Sequence, residues 1–172
     1  MTAYGIEIPS NLTTNFQPSL FALAADFRDA GCELNHVGTY RCQVLGSRRV
    51  MATKTEDLMN YLQQLRPTSA ELVTLKEAQT WLKTTNIDVS KEVRNKLGGV
   101  FCELHCGDTL YMPPGWMFVE AAGNSQDLVG VRLQVLRVKD LQPMEKLEEL
   151  LRKRGKPNET LKTICDKIVM AS

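Results

Sequence analysis

The sequence predicts an α+β domain: two β-rich halves separated by a helical insert and followed by C-terminal helices. Three observations predict it. The runs Thr39-Tyr40-Arg41-Cys42-Gln43-Val44-Leu45 and Leu128 to Val138 have the β-rich, alternating composition of strands. The stretch from Leu58 to Leu82 carries apolar residues at helical spacing. Between insert and C-terminus, Gly107-Asp108-Thr109-Leu110-Tyr111-Met112-Pro113-Pro114-Gly115-Trp116 reads as a turn, a strand and a rigid corner. Proline fixes its own φ and cannot extend a central strand, so the corner belongs there.

At 172 residues the chain is one domain with room for its own core. Lys and Arg total 21 against 20 for Asp and Glu, a net charge of +1. No charge excess draws it to nucleic acid or anionic lipid. No apolar run reaches the roughly 18 residues of a membrane span, and the first residues lack a secretory pattern, so a soluble intracellular protein is the expectation. Cys32, Cys42, Cys102, Cys106 and Cys165 are widely spaced and odd in number, which suggests reduced, mostly buried thiols.

Taken in order, residues 1–18 form an extended or irregular lead-in, with Pro9, Pro18 and a polar Asn/Thr-rich stretch. The first β half, 19–54, opens on the strand Leu20 to Ala25 and turns at Asp29-Ala30-Gly31. Glu33 to Asn35 lie in a loop or strand edge. Thr39 to Leu45 and Arg48 to Ala52 then face each other across Gly46-Ser47 as a hairpin.

The helical insert, 55–99, begins at Thr55-Glu56-Asp57, whose acids suit a helix N-terminus, and its first helix ends at Pro67. Ser69 caps a second helix with Leu72, Leu75, Ala78 and Leu82 on one face. A third runs from about Val89 to Leu97, where Gly98-Gly99 stops it. The second β half, 100–138, starts at Val100 and contains the corner motif and the long alternating strand. The C-terminal helices, 139–172, carry Leu147, Leu150 and Leu151, then Leu161, Ile164, Cys165 and Ile168.

The corner motif and the run Gln43-Val44-Leu45-Gly46-Ser47-Arg48-Arg49 resemble two signatures of one family, the JmjC-type, cupin-like double-stranded β-helix of iron and 2-oxoglutarate dependent oxygenases. The likeness covers residues 19–51 and 100–138. It implies a double-stranded β-helix barrel carrying the helical insert and the C-terminal helices as additions. It further implies an iron triad of His-x-Asp and a distal His, and the matching positions here are Glu33, Asn35 and Phe118. Phenylalanine has no lone pair to donate and an amide oxygen is a weak neutral ligand, so the triad is degenerate and no metal or other cofactor is expected.

A catalytically silent domain acting as a protein-interaction or assembly module follows. A protein partner or self-association is expected, through the amphipathic faces of Leu58 to Leu82 or Leu147 to Ile168. The enzyme alternative is a hydroxylase or demethylase using Fe(II) and 2-oxoglutarate with Glu33 and His36 as ligands. His36 points away from the face shared by 33 and 35 on an extended chain, so that alternative needs a bulge. The third alternative is a dicarboxylate-binding cupin, with a pocket formed by Phe118, Tyr40, Trp116 and Arg48. The resemblance puts Arg48 on the distal carboxylate; an exposed hairpin charge is its ordinary reading. Zinc at Cys102, His105 and Cys106 is disfavoured, because in a strand the two thiols stand about 13 Å apart and His105 faces the other side.

Overall fold

Strands form where the chain alternates and helices where its apolar residues recur at three and four. The computed structural model describes residues 2–3, 6–7, 19–23, 33–34, 36–67, 71–84, 95–123 and 127–171. In chain order these are β1 (Thr2–Ala3), β2 (Ile6–Glu7), β3 (Ser19–Leu23), β4 (Glu33–Leu34), β5 (Gly38–Leu45) and β6 (Arg48–Lys54), then α1 (Thr55–Gln64) and α2 (Leu75–Thr84). The second half is β7 (Val100–Leu104), β8 (Thr109–Met112), β9 (Trp116–Ala122), β10 (Leu128–Val135), α3 (Leu141–Lys153) and α4 (Glu159–Ala171).

The strands β3 to β10 make two antiparallel four-stranded sheets, ordered β3-β10-β5-β8 and β4-β9-β6-β7. The first four of these strands pair with the last four in reverse order, β3 with β10, β4 with β9, β5 with β8 and β6 with β7. Side chains of both sheets meet between them, where Met112 of β8 packs with Val50, Ala52, Leu104 and Phe118 of the other sheet. Helices α1 and α2 cover the outer face of the second sheet. Their Leu58, Met59, Leu62, Ala78 and Leu82 pack on Met51, Met117 and Val119. Fully burying Leu58, Met59 and Leu62 is worth about 5–9 kcal/mol as an upper bound, so α1 is held by this face more than by its own propensity. Helices α3 and α4 form a third cluster from Met144, Leu147, Leu151, Leu161, Ile164 and Cys165, into which Val37 packs.

The hairpin predicted across Gly46-Ser47 is not one. β5 and β6 lie in different sheets, and Gly46, at φ 71°, turns the chain from one to the other. Both edges of β5 are taken by β10 and β8, and both edges of β6 by β9 and β7, so neither has an edge for the other. Alternation reports which residues share a face and says nothing of which strand lies beside it.

The second helix starts later than the Ser69 cap predicts. Thr74 caps α2 in a reciprocal box: Glu77 N donates to Thr74 Oγ1 at 3.2 Å, and Thr74 N donates to Glu77 Oε2 at 2.8 Å. Leu72, placed on the predicted helix face, is exposed outside the helix. Residues 68–70 lie outside the described residues, as do 85–94, which include the start of the third helix predicted from about Val89 to Leu97; its residues 95–97 are helical before Gly98. The long strand β10 ends at Val135 and gives way to a 3-10 turn at Val138–Asp140. Within the lead-in, expected to be extended or irregular, β1 and β2 pair as two short strands. The apolar faces proposed as partner surfaces are packed inward, on the sheet for α1 and α2 and on each other for α3 and α4.

Candidate functional site

On β5, Thr39, Arg41 and Gln43 are buried and alternate with half-buried Tyr40 and Cys42. On β9, Phe118 and Glu120 share one face by the same period. On β6 the matching residues are Ala52, opposite Phe118, and Val50, opposite Glu120; Arg48 follows on the same face. Two cationic side chains and one anionic one thereby enter the space between the sheets.

There Arg41 Nη1 donates to Glu120 Oε1 at 2.8 Å, and Arg48 Nη1 donates to the same oxygen at 3.1 Å. Arg48 has no exposed surface and Arg41 is 4% exposed. The Arg41 guanidinium also lies over the Phe118 ring, 4.0 Å from its centroid, where the negative face of the ring attracts it. Desolvation lowers the Arg48 pKa from its ordinary value; Glu120 opposes the fall and Arg41 adds to it.

Among the predicted triad positions, Glu33 and Phe118 are register partners on adjacent β4 and β9. Asn35 lies outside the described residues. Phe118 is buried beneath Arg41. Arg48, read as an exposed hairpin charge, is one of the most deeply buried side chains, because β6 is an inner strand with a sheet on one side and helices on the other. His36 is exposed at the surface before β5.

Tyr40, Arg48 and Trp116 are not brought together as a pocket. Tyr40 lies on the opposite face of β5 from Arg41, its ring 5.0 Å from that of Tyr111. Arg48 and Trp116 stand at opposite ends of β6, since Arg48 pairs with Ala122 and Lys54 with Trp116. A shallow cleft of about 230 Å³ does open beside Trp116, walled by Pro113, Pro114, Lys54, Gln142 and Lys146. The half-buried Trp116 also packs on the inter-sheet cluster.

Cys102 is half-buried on β7 and Cys106 is exposed, its Sγ donating to Val44 O at 2.9 Å. The expectation of mostly buried thiols holds fully for Cys165 alone among the described cysteines. Burial pushes the Cys102 thiol up, against the pull of Arg48, and pushes that of Cys165 up to about 11. Asp108 makes the expected turn, His105 N donating to its Oδ2 at 2.8 Å.

A second polar cluster joins the outer face of the first sheet to the start of α3. Arg137 donates to both carboxylate oxygens of Asp140, from Nε and Nη2, each at 2.8 Å, and Tyr111 Oη donates to Oδ2 at 2.6 Å. Burial opposes ionisation of Asp140, but these hydrogen bonds outweigh it and hold its carboxyl below the usual range.

Arg41, Glu120 and Asp140 are absent from the sequence-level candidates. Their signal was the alternation: Arg41 falls in phase with Thr39 and Gln43, and Glu120 in phase with Phe118. Opposite charges on the inner phase of two strands are what a buried ion pair looks like in sequence.

The architecture is two antiparallel four-stranded sheets with helices outside. No protein-family model matches the chain, and no curated protein does. Among solved structures it is similar to Drosophila melanogaster CENP-C bound to CAL1, at TM-score 0.40 and 7% identity over 69% of this chain and 64% of that one. It is also similar to the cupin domain of Drosophila melanogaster CENP-C, at TM-score 0.31 and 9% identity over 70% of this chain and 51% of that one. The chain thus spans less than two thirds of either structure. Likeness at these TM-scores bears on neither activity nor partner. Among the described residues, no helix is long and apolar enough to cross a membrane.

Proposed function

We propose that the chain is a double-stranded β-helix of the cupin and JmjC kind that no longer holds iron and serves as a protein-interaction or assembly module. The nested antiparallel pairing supports the fold: β3 to β6 run back along β10 to β7 as one double strand, and the β5–β10 and β6–β9 pairs join its successive turns. The helical insert falls between β6 and β7, where that double strand turns back.

One observation carries the loss of iron. At the position the resemblance gives to the distal ligand stands Phe118, with a guanidinium 4.0 Å from the centre of its ring. A ring carbon donates no electron pair to a metal, and two buried guanidiniums repel a divalent cation. The residues present therefore do not fit an iron ion. With Phe118 and the Arg41, Arg48 and Glu120 side chains standing between the sheets, we look to the surface for a partner. Leu65 and Leu72, 58% and 59% exposed at the end of α1 and in its link to α2, are the large apolar residues that the helical insert offers there.

Metal analysis after anaerobic incubation with Fe(II) and 2-oxoglutarate tests the first half, on the protein and its Glu33→Ala variant. No bound iron in either is expected; near-stoichiometric iron that the variant loses would overturn it. Sedimentation and pull-down test the second half. A protein that neither self-associates nor retains a partner is not an interaction module.

A further inference from the structure

The cleft beside Trp116 lies at one end of the space between the sheets. Lys54 of β6 and Trp116 of β9 are register partners, and directly opposed residues of an antiparallel pair share a face. Trp116 both lines the cleft and packs on the inter-sheet cluster, so its indole divides the one from the other. The walls are fixed. Thr55 N donates to Gly115 O at 2.9 Å, tying the start of α1 to the corner, and a Cβ on Gly115 would stand 3.9 Å from Leu147 Cβ, so α3 lies against the corner too. Pro113, Pro114 and Pro143 line the cleft with backbone that cannot turn about φ. A ligand therefore meets a preformed surface, with little ordering to oppose binding.

The rim carries both signs. Lys54 and Lys146 stand on it with Glu56 and Asp57, and among the described residues none of the four has an ion-pair partner. The acids suit the first turn of α1, but Lys54 is its N-cap, where it makes no capping hydrogen bond and the helix dipole disfavours a cation. At about 230 Å³ the cleft is smaller than the roughly 300 Å³ at which pockets for drug-sized ligands begin. Its ligand is small.

We propose that this cleft binds a small zwitterion carrying a flat ring, the chemistry of a free aromatic amino acid. The ring lies against Trp116 and the prolines, the carboxylate is held by Lys54 and Lys146, and the ammonium group by Glu56 and Asp57. Exposed charge pairs are individually weak, so the ring supplies the larger share of affinity and the rim selects for two opposite charges. The inference rests neither on the loss of iron nor on a protein partner.

NMR titration of the folded protein at low salt tests this with four probes: L-phenylalanine, phenylacetate, phenethylamine and N-acetyl-L-phenylalaninamide. L-phenylalanine is expected to bind about threefold more tightly than either singly charged probe and about tenfold more tightly than the uncharged amide. Lys54→Gln with Lys146→Gln should erase its advantage over phenethylamine and leave phenethylamine binding unchanged. Glu56→Gln with Asp57→Asn should erase its advantage over phenylacetate. If losing the first-turn acids unfolds α1, the lysine variant decides alone. Absence of saturable shifts with L-phenylalanine, or affinity ratios that the lysine variant leaves unchanged, would overturn the proposal. Equal binding of the uncharged amide would also overturn it, in favour of a residue within a protein chain.

Discussion

Arg41 on one sheet donates to Glu120 on the other at 2.8 Å, so an ion pair spans the space between the two sheets. A buried pair of this kind contributes little over well-packed apolar residues, yet breaking it is costly because the surviving charge stays buried. Glu120→Gln is expected to lower stability by about 3–5 kcal/mol in urea denaturation. Replacing Arg41, Arg48 and Glu120 together by Met, Met and Leu is expected to cost less than Glu120→Gln alone. A triple replacement as damaging as Glu120→Gln alone would show that the charges do more than balance one another.

Gly38 opens β5 beneath the Tyr111 hydroxyl. A Cβ there would stand 2.5 Å from Tyr111 Oη and 2.8 Å from Asp140 Oδ2, closer than any real contact. Gly38→Ala is expected to cost about 1–3 kcal/mol as overpacking. Adding Tyr111→Phe removes the nearest clashing atom, so the double variant should lose less than the two single losses combined. Simple additivity in denaturation midpoints would show that the crowding is relieved elsewhere.

Asp140 ties the start of α3 to Arg137 and Tyr111, and its carboxyl titrates below the usual range. A depressed folded-state pKa contributes stability above the unfolded value near 4, which is lost as pH falls through the folded one. Stability is therefore expected to drop as pH falls below about 4, and Asp140→Asn to flatten part of that drop while lowering stability at pH 7 by about 1–3 kcal/mol. Urea midpoints across this range measure both. A variant as acid-sensitive as the parent would place the acid lability in other carboxylates.

Glu77 is the second partner of the α2 capping box. The backbone hydrogen bond from Thr74, then the side-chain bonds from Arg66 and Thr74, hold its carboxyl down to about 2. Thr74→Ala keeps the backbone donor but removes the hydroxyl, so the Glu77 midpoint should rise while staying below the ordinary value. Carboxyl NMR titration reads this directly; an unmoved midpoint would mean that the backbone bond and Arg66 hold the charge without the hydroxyl.

The corner at Pro113-Pro114-Gly115 was legible because few residues tolerate that backbone: Gly115 has φ 79° and leads straight into β9. Helix α1 was legible from Thr55 to its end before Pro67 because acids, apolar spacing and proline agree. The start of α2 was not, since Ser69 and Thr74 offer the same cap chemistry, and only Thr74 has Glu77 three residues on. The candidate site was half legible. Phe118 stood out as an apolar residue where a ligand was implied, but Arg48 read as surface because two adjacent arginines after a Gly-Ser turn are ordinary on a solvated loop.

By itself the sequence determined which stretches alternate and where the chain must turn, and it carried a resemblance that assigns metal-ligand positions to Glu33, Asn35 and Phe118. Those properties are local: they depend on backbone sterics and on side-chain chemistry at fixed spacing. The tertiary structure decided that β5 and β6 part into different sheets, that Arg41 and Arg48 meet at one oxygen of Glu120, and that Tyr40 and Trp116 share no pocket with Arg48. Strand partners far apart in sequence set those relations, and a charge becomes interior only when a second sheet closes over it.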